Sequence, residues 1–158
     1  MVDESELDWT EREEGDTTFR RKRLAAPAGG EELGASLYEL DPGGRSWPLH
    51  YHTGNEEAIY VLAGEGTLRR GDGHEDSTLT PGEYVAFPAD ESGAHRIHND
   101  GDATLRYLMV STMNEPDVTV YPEEDGIGVF VGAPPGGEGE RPVAGFWDRD
   151  DAVEYWDG

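Results

Sequence analysis

Turn-forming residues recur along this chain at short intervals, and the segments between them are too short for stable helices. Asp41-Pro42-Gly43-Gly44, Gly71-Asp72-Gly73, Pro81-Gly82 and Asn99-Asp100-Gly101 each interrupt residues suited to strands. Strands are expected at 19–24, 35–40 and 57–66. Two more turn about Gly71-Asp72-Gly73, another follows Pro81-Gly82, and two flank Asn99-Asp100-Gly101. No stretch keeps a helical period. With 22 glycines and 10 prolines in 158 residues, this pattern predicts one all-β domain, a small antiparallel barrel or sandwich.

The ends read differently. Residues 1–18 are acidic and aperiodic, a loosely held N-terminal arm ahead of a barrel over 19–131. Residues 132–142, "GAPPGGEGERP", have linker composition. The segment 143–158 is acidic yet carries Phe146, Trp147, Tyr155 and Trp156. Aromatics in that number predict docking on the barrel or on a partner subunit.

Charge narrows the setting. Twelve Lys and Arg stand against 35 Asp and Glu, a formal net charge of -23, and Lys22 is the only lysine. Such a surface repels itself in dilute buffer, whereas at molar salt the Debye length contracts to about 3 Å. A halophilic, cytoplasmic protein is expected. Binding of nucleic acid or of anionic membrane by bulk charge is disfavoured. The basic run Arg20–Arg23 is expected to pair with the acidic arm or with a dimer partner. The absence of cysteine excludes disulfides and thiolate chemistry. No apolar run approaches the roughly 20 residues that span a bilayer, and the first residues do not resemble a signal peptide.

Two of the five histidines, His50 and His52, flank Tyr51 and therefore point to one face of a strand. Glu57 opens the next strand and can aim at the same point, while parity sends its competitor Glu56 to the opposite face. In "HRIHN", His95 and Asn99 share a parity that His98 does not. Imidazoles with one carboxylate suit a first-row divalent metal, and incomplete coordination leaves positions for water or substrate.

These residues resemble the cupin superfamily of double-stranded β-helix (jelly-roll) barrels. Its first motif, G-x5-H-x-H-x3,4-E-x6-G, is met at Gly44, His50, His52, Glu57 and Gly64, which selects Glu57 over Glu56. Its second, G-x5-P-x-G-x2-H-x3-N, is met at Gly82, Pro88, His95 and Asn99. Between Pro88 and His95 this chain is two residues longer, and Asp90 stands where glycine is usual. The resemblance implies a cupin-type jelly roll with an N-terminal arm and a C-terminal extension. It implies one divalent transition-metal ion (Mn, Fe, Ni or Zn) on His50, His52, Glu57 and His95, a structural role for Asn99, and a homodimer.

The function expected is that of a metal-dependent enzyme on a small polar metabolite (a sugar, carboxylate or diketone), an oxygenase, isomerase or lyase. The alternative is a non-catalytic binding or sensor module using the same site. Alternation places Arg96 outward and leaves Arg106 undecided. Trp47, Tyr51 and Tyr60 are expected in the core or at an interface, and His74 in a solvated turn. The acidic surface carries its own prediction. Thermal unfolding should rise steeply between dilute and molar potassium chloride, and a flat response would remove the halophilic reading.

Overall fold

The computed structural model describes residues 1–71, 73, 75–137 and 139–156. His74 and Asp72 of the expected glycine turn lie outside the described residues. So do Glu138 in the linker and the last two residues of the C-terminal segment.

The chain forms β1 (Thr10–Glu14), β2 (Thr17–Arg23), β3 (Leu33–Leu40), β4 (Tyr51–His52) and β5 (Glu57–Ala63). It continues through β6 (Gly66–Arg70), β7 (Ser77–Leu79), β8 (Tyr84–Phe87), β9 (His95–His98) and β10 (Leu105–Thr112). The hairpin β11 (Asp117–Tyr121) and β12 (Gly126–Val131) follows, then β13 (Val143–Asp148). Helical structure among the described residues is limited to single 3-10 turns of three residues each. The expected all-β jelly-roll class is the one observed.

One sheet runs β1-β2-β3-β10-β5-β8, a second β13-β12-β11-β4 and a third β7-β6-β9, with every pairing antiparallel. A bridge between His50 and His95 joins the second sheet's start to β9. Between the sheets lies a core that includes Phe19, Leu40, Ile59, Val61, Leu68, Phe87, Ile97, Leu105 and Tyr107. Tyr38 and Tyr107, opposed across β3 and β10, stack with centroids 5.3 Å apart and planes within 3°.

Strand parity fixes which side chains enter. Along β5, Ile59 and Val61 are buried while Tyr60 and Leu62 are exposed, so Glu57 belongs to the inward face. Gly64 ends this strand with φ +76°, and a Cβ there would stand 2.4 Å from the Thr104 carbonyl oxygen. No residue but glycine fits that close approach without a shift of backbone.

The N-terminal end of the chain is more ordered than the sequence suggested. Residues 10–14, expected in a loose arm, pair along their whole length with β2. The aromatic C-terminal segment adds β13 to the edge of β12, with Phe146 beside Tyr121 and Phe130, although Tyr155 and Trp156 remain exposed. Arg96 also departs from expectation. It lies on the opposite face from His95, as alternation requires, but is buried because the β1–β2 turn covers it. There Asp16 accepts from Arg96 Nη2 at 2.6 Å and from Arg45 Nη1 at 2.7 Å. The basic run of β2 is held within the chain. Arg20 pairs with Glu39, and Lys22 donates to the Glu4 carbonyl and lies over the Trp9 ring. Arg106 pairs with Glu4 and Glu39.

The Asp16 contact is testable. The bonds from Arg96 and Arg45 lower the Asp16 pKa from 3.8 to about 2. Its contribution is therefore present above the unfolded carboxyl pKa and is lost as pH falls toward 2. Replacing Asp16 by Ala leaves the Arg96 guanidinium buried without its anion, at a cost of about 1–3 kcal/mol in urea unfolding at neutral pH. The gap between wild type and variant should close in acid.

Candidate metal centre

His50 directly precedes β4, His52 ends it, Glu57 opens β5 and His95 opens β9. The three histidines are buried. Their Nε2 atoms converge on one carboxylate oxygen, Glu57 Oε2, at 3.4 Å from His52, 3.6 Å from His95 and 4.0 Å from His50. That oxygen is itself buried and has no hydrogen-bond partner. His50, Glu57 and His95 offer ligand atoms all within 4.8 Å of one another, and His52 joins the group through Glu57. Glu56 is exposed and turned away, as parity predicted.

Each ring is oriented through its other nitrogen. His50 Nδ1–H donates to the Pro48 carbonyl at 2.7 Å, and His95 Nδ1–H donates to the Gly93 carbonyl at 2.9 Å. A carbonyl only accepts, so the proton of each neutral ring sits on Nδ1 and the Nε2 lone pair faces Glu57. Burial, the largest cause, lowers the His50 pKa to about 3, with the neighbouring His95 and His52 adding to it. Burial likewise lowers that of His95. Phe87 stacks on the His95 ring at 3.8 Å and closes that side to water.

His52 differs. Its Nδ1 lies 2.6 Å from Oδ2 of Asp117, a fully buried carboxylate whose Oδ1 accepts from the Gly54 backbone N–H at 3.0 Å. Burial pulls the His52 pKa down, but the Asp117 and Glu57 carboxylates outweigh it and raise it to about 10. Burial raises the pKa of Glu57, but the imidazoles, His52 foremost, outweigh that and lower it. Without a cation, the site thus balances its carboxylates with a proton on His52.

This donor set fits a divalent cation. Ligand atoms about 2.1 Å from one metal stand roughly 3.0–3.4 Å from each other, close to the spacing found here. Two neutral imidazoles and a carboxylate that lacks a partner are the chemistry such an ion takes, and the Nδ1 acceptors supply the outer hydrogen bonds that orient it.

The loop before His95 accounts for the two extra residues. Asp90 Oδ1 accepts from the Ser92 backbone N–H at 2.8 Å and caps a 3-10 turn over Glu91–Gly93. The extra length is absorbed in that turn, which carries the Gly93 carbonyl under His95. A Cβ on Gly93 would stand 2.0 Å from the Pro88 carbonyl oxygen. Asn99 is structural, since its amide donates to the Leu40 and Ala103 carbonyls.

Asp117, Thr119 and Tyr121 form the inward face of β11, and sequence reasoning missed all three. Tyr121 stacks on His50 at 6.0 Å, and Thr119 Oγ1 lies 3.3 Å from His52 Nδ1. The only available signal was the alternation in "DVTVY", because Asp117 stands 65 residues from the histidine it contacts. The histidines and Glu57 line a cavity of about 810 Å³, which Ser36, Trp47, Ser111 and Tyr121 also line.

Residues 36–111 match the family described as the cupin domain. Over those residues the chain is a cupin. This cupin is 38% identical over 69 residues to the oxalate-binding protein of Thermotoga maritima, a match covering 44% of this chain and 54% of that relative's length. Its fold superposes on a proposed sugar phosphate isomerase from Acidithiobacillus ferrooxidans with a TM-score of 0.80. That pair shares 28% identity, over 95% of this chain and 90% of the other. A sugar phosphate isomerase of the cupin superfamily from Silicibacter pomeroyi gives the same TM-score at 23% identity, over 99% and 98% of the two chains.

The raised His52 pKa gives the sign of a pH effect. A cation entering the site must displace the His52 proton, so affinity rises with pH through the neutral range, by up to about tenfold per unit. Calorimetry in buffers of different ionisation enthalpy should register proton release on uptake of Mn, Fe, Ni or Zn. Asp117→Asn removes the anion that orients His52, and should weaken metal affinity about 10–100-fold.

Proposed function

We propose that this cupin is a metal-dependent enzyme acting on a small polar metabolite, with isomerisation of a polyhydroxy carbonyl compound as the reaction class it fits best. One observation carries the reading: three imidazole Nε2 atoms face an unpartnered carboxylate oxygen in the wall of a large cavity. His50, His52, Glu57 and His95 would hold one divalent cation, which supplies Lewis acidity toward carbonyl and hydroxyl oxygens of a bound molecule.

The remaining work falls to the chain. The Pro48 and Gly93 carbonyls and the Asp117 carboxylate keep the rings pointed at one place. Ser36, Ser111 and Tyr121 offer hydroxyls to a polar guest. Burial raises the Tyr121 pKa to about 12, and Glu124 and Asp117 add to it, so its phenol stays a neutral donor throughout the working range. Phe87 and Ala94 are buried beside His95 and keep bulk water from that side of the centre. Isomerisation needs neither oxidant nor co-substrate. The Acidithiobacillus ferrooxidans structure, matched over nearly the whole chain, supports that class.

A second reading is a binding module without turnover, favoured by the local likeness to an oxalate-binding protein. The experiment that separates the two starts from protein purified in potassium chloride, with its metal measured by elemental analysis. Aldose–ketose interconversion is then followed by NMR, and oxalate binding by calorimetry. The enzyme reading expects one cation per chain and turnover, both abolished by His52→Ala and by Glu57→Gln. Oxalate binding with no turnover across Mn-, Fe-, Ni- and Zn-loaded protein selects the binding module. Protein that takes up no transition metal overturns both.

A further inference from the structure

In a chain with 12 basic and 35 acidic residues, a cation without an anion nearby needs a reason. Among the described residues, the arginines at 20, 45, 69, 96, 106 and 149 lie within 4.0 Å of a carboxylate. Arg12 and Arg21 have no such partner among the described residues, and both line the cavity that His50, Glu57 and His95 also line. Glu31 and Glu115 line it too, yet neither forms an ion pair with Arg12 or Arg21.

The register explains how they come together. Arg12 on β1 lies opposite Phe19 on β2, and Arg21 is two residues beyond Phe19 on the same strand. All three therefore share one face of the hairpin, on which Phe19 is buried, Arg21 half-buried and Arg12 exposed. The Arg12 guanidinium sits 5.3 Å from the centre of the Trp47 ring, and that of Arg21 sits 5.9 Å from it. Arg21 Nη1 also donates to Tyr38 Oη at 3.1 Å. Trp47 in turn packs edge-on against Phe19 at 5.0 Å. Two like charges are thus held beside one aromatic ring, an arrangement the ring tolerates and an oxyanion would complete. Trp47 is three residues from His50, so their backbones are at most roughly 11 Å apart. Arg12, Arg21 and Trp47 line the same cavity as His50, Glu57 and His95, so one guest can meet both sets.

We infer that Arg12 and Arg21 form an anion subsite in this cavity, which takes the phosphate monoester of a small metabolite whose oxygen-bearing carbons reach the histidine–glutamate centre. This rests on the metal-site reading for the far end of the substrate but not for the anion itself. Guanidinium forks offer paired donors to phosphate oxygens, and the mixed charge of the cavity would otherwise favour a carboxylate beside each arginine, which neither has. The acidic exterior gives the subsite its selectivity, because an anion finds few other unpaired cations on this chain.

The test uses the full-length metal-loaded protein at one fixed potassium chloride concentration, with inorganic phosphate titrated by calorimetry. Arg12→Gln/Arg21→Gln should weaken phosphate binding by at least about tenfold, with metal content and unfolding temperature retained. Arg20→Gln, on the outer face of the same strand, should change it less than about twofold. His52→Ala should lose metal yet keep phosphate binding, so failure of the metal centre and failure of the anion subsite are separable. Phosphate binding that persists in the double variant, or is absent from the wild type, overturns the proposal. Displacement of phosphate by an equal concentration of acetate assigns the subsite to carboxylates and overturns the phosphate assignment.

Discussion

Glu57 carries a negative charge into the interior of a β-barrel, where an ion without compensation is among the costliest things a fold can hold. The compensation is three imidazoles whose Nε2 atoms stand 3.4–4.0 Å from one of its oxygens. None of them is close enough for a good hydrogen bond of roughly 2.7–3.2 Å, so the carboxylate is surrounded but not satisfied. A proton on His52 balances that arrangement electrostatically, and a divalent cation at its centre balances it better. Much of the barrel serves to keep these four side chains from relaxing into ordinary contacts.

The restraint works at two ranges. His50 and His95 are held by carbonyls two residues behind them, from Pro48 and Gly93. Both anchors are local, and the second depends on a turn with no room for a side chain at Gly93. His52 is held by Asp117 from a strand 65 residues away. The local anchors leave their rings neutral, and the distant one supplies the charge that makes His52 basic. One sequence pattern, H-x-H, thus yields two imidazoles whose pKa values are displaced in opposite directions, and the difference is wholly tertiary.

The charge distribution follows a related division. Carboxylates cover the outside, and most arginines there are engaged with them. Arg96 shows how far this goes: a residue on the outer face of β9 is buried and neutralised because Asp16 folds over it. Against that background, Arg12 and Arg21 are conspicuous for facing an aromatic ring and a cavity instead of an acid. The same first hairpin therefore seals one arginine from solvent and sets two others, Arg12 exposed and Arg21 half-buried, along the wall of the cavity.

Fold class and the pairing of His50 with His52 were legible in the sequence because both rest on short-range rules, whereas His95 joined them only through the resemblance to the cupin motifs. Turn residues at regular intervals forbid helices. Alternation puts His50 with His52 and separates Glu57 from Glu56, whatever the strands pair with. Those rules say nothing about which strand lies beside which. Hence the pairing of residues 10–14 with β2, the burial of Arg96, the contact of Asp117 with His52 and the gathering of arginines around Trp47 appeared only in three dimensions. Spacing along the chain determined the chemistry this protein can offer a ligand. Strand pairing between distant segments decided its charge state, its shape and what shares the cavity, because electrostatics and packing depend on distance through space and not along the backbone.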